Sequence, residues 1–173
     1  MRKLILAVCS MFCITSATAQ VHQEGGTGLD ITLGKTGIGV MGGVGYMRNF
    51  TDNAYLQVRG LGEFGRMYNF KYAHFGLDAM TFYNPFFISD FFQFNAGAGI
   101  TLGYEKVKGI SKEKSNGIGF MAGVKAGGQI EAFLSDQLGF CLYANQAYMV
   151  KKSLGYTYYE VGVGIRIFLN NYY

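Results

Sequence analysis

Residues 91–105 read FFQFNAGAGITLGYE. The even positions from 92 to 104 are Phe, Phe, Ala, Ala, Ile, Leu and Tyr. The odd positions from 93 to 105 are Gln, Asn, Gly, Gly, Thr, Gly and Glu. Strict period-two alternation marks a β-strand whose two faces meet different environments. The fold turns on whether the apolar face meets a protein core or lipid.

The same alternation recurs outward from this stretch. It predicts eight strands, near residues 28–34, 37–48, 54–67, 70–83, 91–105, 117–133, 138–150 and 156–169. In the sixth, Ile118, Phe120, Ala122, Val124 and Ile130 stand opposite Gly119, Gly123, Lys125, Gln129 and Glu131. In the eighth, Val161, Val163, Ile165 and Ile167 stand opposite Glu160, Gly162, Gly164 and Arg166. The third and fourth place Leu56, Val58 and Phe64 opposite Arg59 and Glu63, then Phe75 and Leu77 opposite His74 and Asp78. Leu61 falls on the polar face of its strand, where a bulge would be needed to turn it outward. The first, second and seventh strands rest on fewer matches.

A soluble sandwich or lipocalin-like barrel also alternates, but its polar face meets water and carries abundant Lys, Glu and Asp. Here the polar face is mostly Gly, Asn, Gln and Thr with isolated charges, as suits the crowded interior of a narrow barrel. On the apolar faces, Phe and Tyr stand near strand ends with aliphatic residues between them, the pattern of an aromatic girdle. Lipid is the better answer, and the expected fold is an all-β, eight-stranded antiparallel transmembrane barrel of the outer-membrane type.

Composition agrees. The 173 residues suit one domain and include 26 Gly, 13 Tyr and 15 Phe, against one Pro and no Trp. Arg2 and Lys3 precede an apolar run from 4 to 14, and Ala17-Thr18-Ala19 supplies a small-x-small cleavage pattern. Residues 1–19 therefore read as a secretory signal peptide, too short to span a membrane as a helix. A lipoprotein leader is the rival, but Cys9 follows Val8 and Cys13 follows Phe12, where lipidation wants a small residue. Residues 20–27 read as a flexible segment and 28–173 as the barrel. Removing the leader leaves Cys141 as the one cysteine of three, so no internal disulfide is expected. The loss of Arg2 and Lys3 lowers the +4 formal charge by two, which is no nucleic-acid signature; direct nucleic-acid contact is not expected.

Three Ser/Thr-Asp pairs, Thr51-Asp52, Ser89-Asp90 and Ser135-Asp136, sit between strands as tight turns at one end of the barrel. With both termini periplasmic, these are the periplasmic turns. Asn84, Pro85, Phe86 and Phe87 read as an interfacial cluster beside the second. The longest outside loop is then 106–116. It carries Lys106, Lys108, Lys112 and Lys114, and another outside loop carries Lys151 and Lys152. A charge run of this kind is most simply a solvated loop, though it could also meet anionic lipopolysaccharide. Phe168 and Tyr173 lie in an aromatic C-terminal stretch similar to the signal read by the outer-membrane assembly machinery.

Eight-stranded barrels are filled by side chains, so a wide channel is not expected. The interior charges are Asp30, Arg59, Glu63, Asp78, Glu105, Lys125, Glu131, Glu160 and Arg166, read as an ion-pair network that fixes register. His22 and His74 are the only histidines. His22 lies in the tail, and His74 lacks a serine beside it, so no catalytic residue, metal site or cofactor is expected.

The C-terminal part, over about residues 70–169, resembles the TraO family of conjugative-transposon transfer proteins from Bacteroides-type bacteria. The resemblance rests on three stretches in order: residues 95–105 ending Gly103-Tyr104-Glu105; residues 127–136 with Glu131 followed by Leu134-Ser135-Asp136; and Gly162-Val163-Gly164-Ile165-Arg166 near the end. It implies an accessory component of the DNA-transfer apparatus, with outer-membrane lipid and other envelope or conjugation proteins as partners. It carries no catalytic residues.

Overall fold

The computed structural model describes residues 24–67, 70–89, 91–109, 117–150 and 156–169. Its strands are β1 (Thr27–Thr36), β2 (Gly39–Thr51), β3 (Ala54–Met67), β4 (Phe70–Ser89), β5 (Phe92–Gly109), β6 (Gly117–Ser135), β7 (Leu138–Met149) and β8 (Thr157–Phe168). Each is antiparallel to its neighbours. β1 also pairs with β8, from Gly28 opposite Phe168 to Thr36 opposite Glu160, so the sheet closes on itself.

The burial pattern is that of a soluble protein turned inside out. Phe64, Phe75 and Phe120 are 55%, 58% and 60% exposed, whereas Arg59, Lys125 and Arg166 are 3%, 2% and 0% exposed. Water would not tolerate that outer wall, and lipid requires it. Closure also removes the sheet edge, leaving no row of unpaired backbone groups to face hydrocarbon.

Two of the three Ser/Thr-Asp turns use the expected chemistry, while Asp90 of the third lies outside the described residues. The Thr51 hydroxyl accepts from the Asn53 N–H at 3.3 Å, and the Ser135 hydroxyl from the Gln137 N–H at 3.4 Å. Both turns lie at the end that carries the start of β1 and the end of β8.

Several boundaries differ from expectation. β5 continues to Gly109, so Lys106 and Lys108 stand on a strand rather than in a loop, register partners of Ala73 and Lys71. The reason is that alternation persists under a loop-like composition: Val107 is buried while Lys106 and Lys108 are exposed. β4 runs to Ser89 through Asn84 and Pro85. Register shifts between Tyr83 and Phe86, where Pro85 has no N–H to give the ladder, and again between Phe87 and Ser89. At the N-terminus, Thr27 already belongs to β1. The Glu24 N–H donates to Asp52 at 3.0 Å and the Gly25 N–H to the Asn49 carbonyl at 3.1 Å, so the ordered unit begins ahead of residue 28.

No bulge turns Leu61 outward. Register runs unbroken through it, and it points into the lumen, 6% exposed. Both its register partners, Gly43 and Gly76, are glycine, which leaves room for an apolar branch inside. Glycine does the same work elsewhere. A Cβ on Gly34 or Gly162 would lie 2.6 or 2.5 Å from the Tyr143 hydroxyl, and one on Gly164 would lie 2.7 Å from the Cys141 sulfur. The lumen is narrow enough that long side chains on one strand lie over glycines on the next.

Candidate functional site

The lumen is where the polar side chains converge. It is stoppered at both ends by apolar clusters. Met47, Tyr55, Met80 and Phe82, with Phe168 against them, fill the end bearing the termini; Met121, Ala147, Met149 and Tyr158 fill the other. Between and beside these plugs lie three polar groups.

The central group is a charge-balanced quartet. The Arg59 guanidinium donates to Asp78 at 2.7 Å and to Glu160. Lys125 Nζ donates to the same two carboxylates at 2.6 and 3.0 Å, and Asn145 donates to Glu160 at 2.6 Å. Arg59 and Asp78 are register partners on β3 and β4. Lys125 on β6 reaches across the lumen to β4 and β8, so the quartet braces strands that share no backbone ladder.

The second group, nearer the termini, centres on Arg166. Its Nε donates to Asp30 at 2.6 Å, and its Nη1 donates to both Glu131 oxygens at 2.8 and 3.0 Å. Gln57 donates to Asp30 at 2.7 Å, Gln129 to Gln57 at 3.2 Å, the Tyr55 hydroxyl to Gln129 at 3.0 Å, and Asn95 to Glu131 at 3.4 Å. The guanidinium carbon also sits 4.9 Å from the centre of the Tyr55 ring. Asp30 and Arg166 face each other directly across the closing seam.

The third group lies near the opposite end and has a different make-up. Glu63, His74 and Glu105 are successive register partners on β3, β4 and β5, so one imidazole stands between two carboxylates on one rung. His74 Nδ1 is 3.4 Å from Glu63, and the Thr36 hydroxyl donates to the other Glu63 oxygen. A Cβ on Gly76 would lie 2.8 Å from His74 Nε2, and one on Gly103 would strike the same atom. The ring therefore rests in a seat of two glycines. Asp78, four residues on along β4, takes no part in this rung and is committed to Arg59 and Lys125.

Asp30, Arg59, Glu63, Asp78, Glu105, Lys125, Glu131, Glu160 and Arg166 are all buried. The described lumen holds three permanent cations against six carboxylates, and the imbalance falls mainly on the Glu63–His74–Glu105 rung. Gln57, Gln93, Asn95, Gln129 and Asn145 join the networks as well. The first four lay on faces already read as polar, whereas Asn145 shares its face with Cys141, Tyr143 and Met149, where no polar signal stood out. Lys106 and Lys108 are exposed on the outward side of β5. Phe168 faces inward against the plug at the end bearing the termini, and its ring centre is 5.9 Å from that of Phe133. Lys112, Lys114, Lys151, Lys152, Tyr173, His22 and the expected signal peptide lie outside the described residues. Among the described residues no cluster of His, Cys, Asp and Glu has the geometry to hold a metal ion.

A closed eight-stranded barrel with an apolar wall and an ion-paired lumen defines the class: a transmembrane β-barrel of the outer-membrane kind. Among solved structures, the chain is similar to the N-terminal β-barrel domain of Pseudomonas aeruginosa OprF, at 13% identity and a TM-score of 0.65, covering 84% of this chain and 98% of that one. It is similar to Neisserial surface protein A at 12% identity and a TM-score of 0.65, with 82% and 95% covered. The attachment invasion locus protein Ail of Yersinia pestis matches at 10% identity and a TM-score of 0.56, with 85% and 100% covered. At these identities the likeness is one of fold. No protein-family model and no curated protein matches the sequence.

Proposed function

We propose that this protein is a non-enzymatic, non-conducting barrel of the bacterial outer membrane, a rigid anchor that presents its outside connections to partners at the cell surface. The observation that carries this reading is the filled lumen: two apolar plugs enclose an ion-paired interior, and eight strands leave no space for a water column. The test is fractionation followed by planar-bilayer recording. The reading requires an outer-membrane band whose gel mobility shifts on boiling and no steady conductance after reconstitution. Stable single-channel currents from the purified barrel would overturn it.

A second reading gives the anchor a particular task, as an accessory element of conjugative DNA transfer. It is favoured by the ordered motifs ending in Gly103-Tyr104-Glu105, Leu134-Ser135-Asp136 and the Gly164-Ile165-Arg166 stretch, which resemble the TraO family. Deleting the gene from a donor strain and counting transconjugants tests it. Unchanged transfer frequency would leave the general barrel reading standing without this task.

A further inference from the structure

Among the described residues the exposed carboxylates are Glu24, Asp52 and Asp136, all at the end bearing the termini, where Arg48 is an exposed cation. At the other end the exposed charges are cations, Lys35, Arg66, Lys71, Lys106 and Lys108. Four of these share three adjacent strands. Arg66 is the register partner of Lys71 and Lys71 of Lys108, while Lys106 stands opposite Ala73. By the alternation of burial all four point away from the lumen. Like charges directly opposite one another destabilise a sheet. Three in a row, with no carboxylate among the described residues on that face at that end, form a concentrated patch of positive charge.

Directly below this row the wall is indented. Phe75, Leu77, Leu102, Tyr104 and Phe120 line a shallow, open apolar depression whose floor is the backbone at Gly76 and Gly103. Ala73 is the one outward residue between Lys71 and Phe75 on β4, so on that strand no bulky side chain separates Lys71 from the depression, whereas on β3 Phe64 stands between Arg66 and it and packs on Phe75. Lys71 to Phe75 spans four strand residues, roughly 13 Å at the usual rise. The juxtaposition is a cluster of positive charge beside a shallow apolar depression on the outer wall.

We infer that Arg66, Lys71, Lys106 and Lys108, with the Phe75–Tyr104–Phe120 depression beneath them, form a specific seat for one phosphate-bearing lipid of the leaflet facing that rim. The headgroup phosphates lie among the four cations and an acyl chain lies in the depression. This rests on the membrane-barrel reading. It differs from general lipid solvation in requiring both the cations and the depression, on one side of the barrel only.

Native mass spectrometry of the full barrel in neutral detergent, titrated with diphosphoryl lipid A, tests the site. A boiling-dependent gel shift on each sample reports folding. Wild type is expected to retain one lipid. The triple substitution Lys71→Ser, Lys106→Ser, Lys108→Ser should weaken retention on the order of tenfold or more, given about 1 kcal/mol per basic residue near an anionic surface. Ala73→Leu, which blocks the path into the depression with no change of charge, should also weaken it. Lys35→Ser should not. A folded wild-type barrel that holds diphosphoryl lipid A no better than the triple variant overturns the seat and leaves the barrel standing. Displacement by inorganic pyrophosphate with no effect of Ala73→Leu reveals an anion site without a lipid and also overturns it. Absence of the gel shift in every sample would remove the membrane reading and the seat together.

Discussion

The central quartet and the Glu63–His74–Glu105 rung occupy the same lumen and are built on opposite principles. In the quartet two cations face two carboxylates, and each charge has at least two partners. In the rung two carboxylates flank a single imidazole, and the remaining neighbours are hydroxyls, with Tyr72 in range of Glu63 and Glu105 and Tyr158 in range of Glu63. Redundant pairing makes the quartet tolerant of losing one member. The rung has no buried permanent cation, so losing a carboxylate there relieves repulsion. The Arg166 group lies at the vulnerable extreme, since one guanidinium neutralises both Asp30 and Glu131.

Substitutions graded by this contrast sharpen it. Arg166→Met should cost the most, about 3–5 kcal/mol, because it strands two buried carboxylates. The expected result is a large fall in the urea midpoint of the folded band in detergent. Lys125→Met should cost about 2 kcal/mol, since Asp78 and Glu160 keep Arg59. Equal losses for the two variants would show that redundancy does not protect the quartet. Gly103→Ala pushes a methyl into the His74 ring and should cost about 1–3 kcal/mol, whereas Gly119→Ala, where an added Cβ meets nothing within 4 Å, should stay within about 0.5 kcal/mol. Glu63→Gln should change stability by less than about 1 kcal/mol in either direction, because a weakened carboxylate repulsion offsets the lost contacts to Thr36 and His74. A loss as large as that of Arg166→Met would mean that the rung is held by strong pairing after all.

How much of this could be read from the sequence depends on the contrast between faces. In β5, β6 and β8 the outward residues are mostly apolar and the inward ones, apart from Val107, Met121, Phe133, Tyr158 and Phe168, are mostly Gly, Asn, Gln or charged, so the alternation stands out. In β2 and β7 the inward positions include Met41, Met47, Cys141, Tyr143 and Met149, of which Met47 and Met149 belong to the apolar plugs, and both faces look alike. Leu61 confused the third strand for the same reason: a lumen wide enough beside Gly43 and Gly76 accepts an apolar group. The inward charges were legible one by one because a charge near the middle of a lipid-facing strand has only one tolerable direction, whereas charges near the strand ends can also point outward. Their partners were less so. Arg59 and Asp78 meet as cross-strand neighbours, but Lys125 with Glu160 and Arg166 with Glu131 meet across the lumen, through a stagger that no local pattern encodes. The basic rim was misread because Lys106 and Lys108 look like loop residues until Val107 is seen to point inward.

The seam between β1 and β8 joins residues 136 apart in the chain, and there Asp30 meets Arg166. A slip of one residue would turn every side chain of β8 to the wrong side, which lipid itself forbids. A slip of two preserves the faces and satisfies the backbone almost as well, so hydrogen bonding alone discriminates poorly against it. It would, however, set Arg166 opposite Gly28 or Thr32 and leave Asp30 without its cation. The ion pair thus acts as a checksum on the last join of the cylinder, accepting one closure among several that the backbone alone would allow.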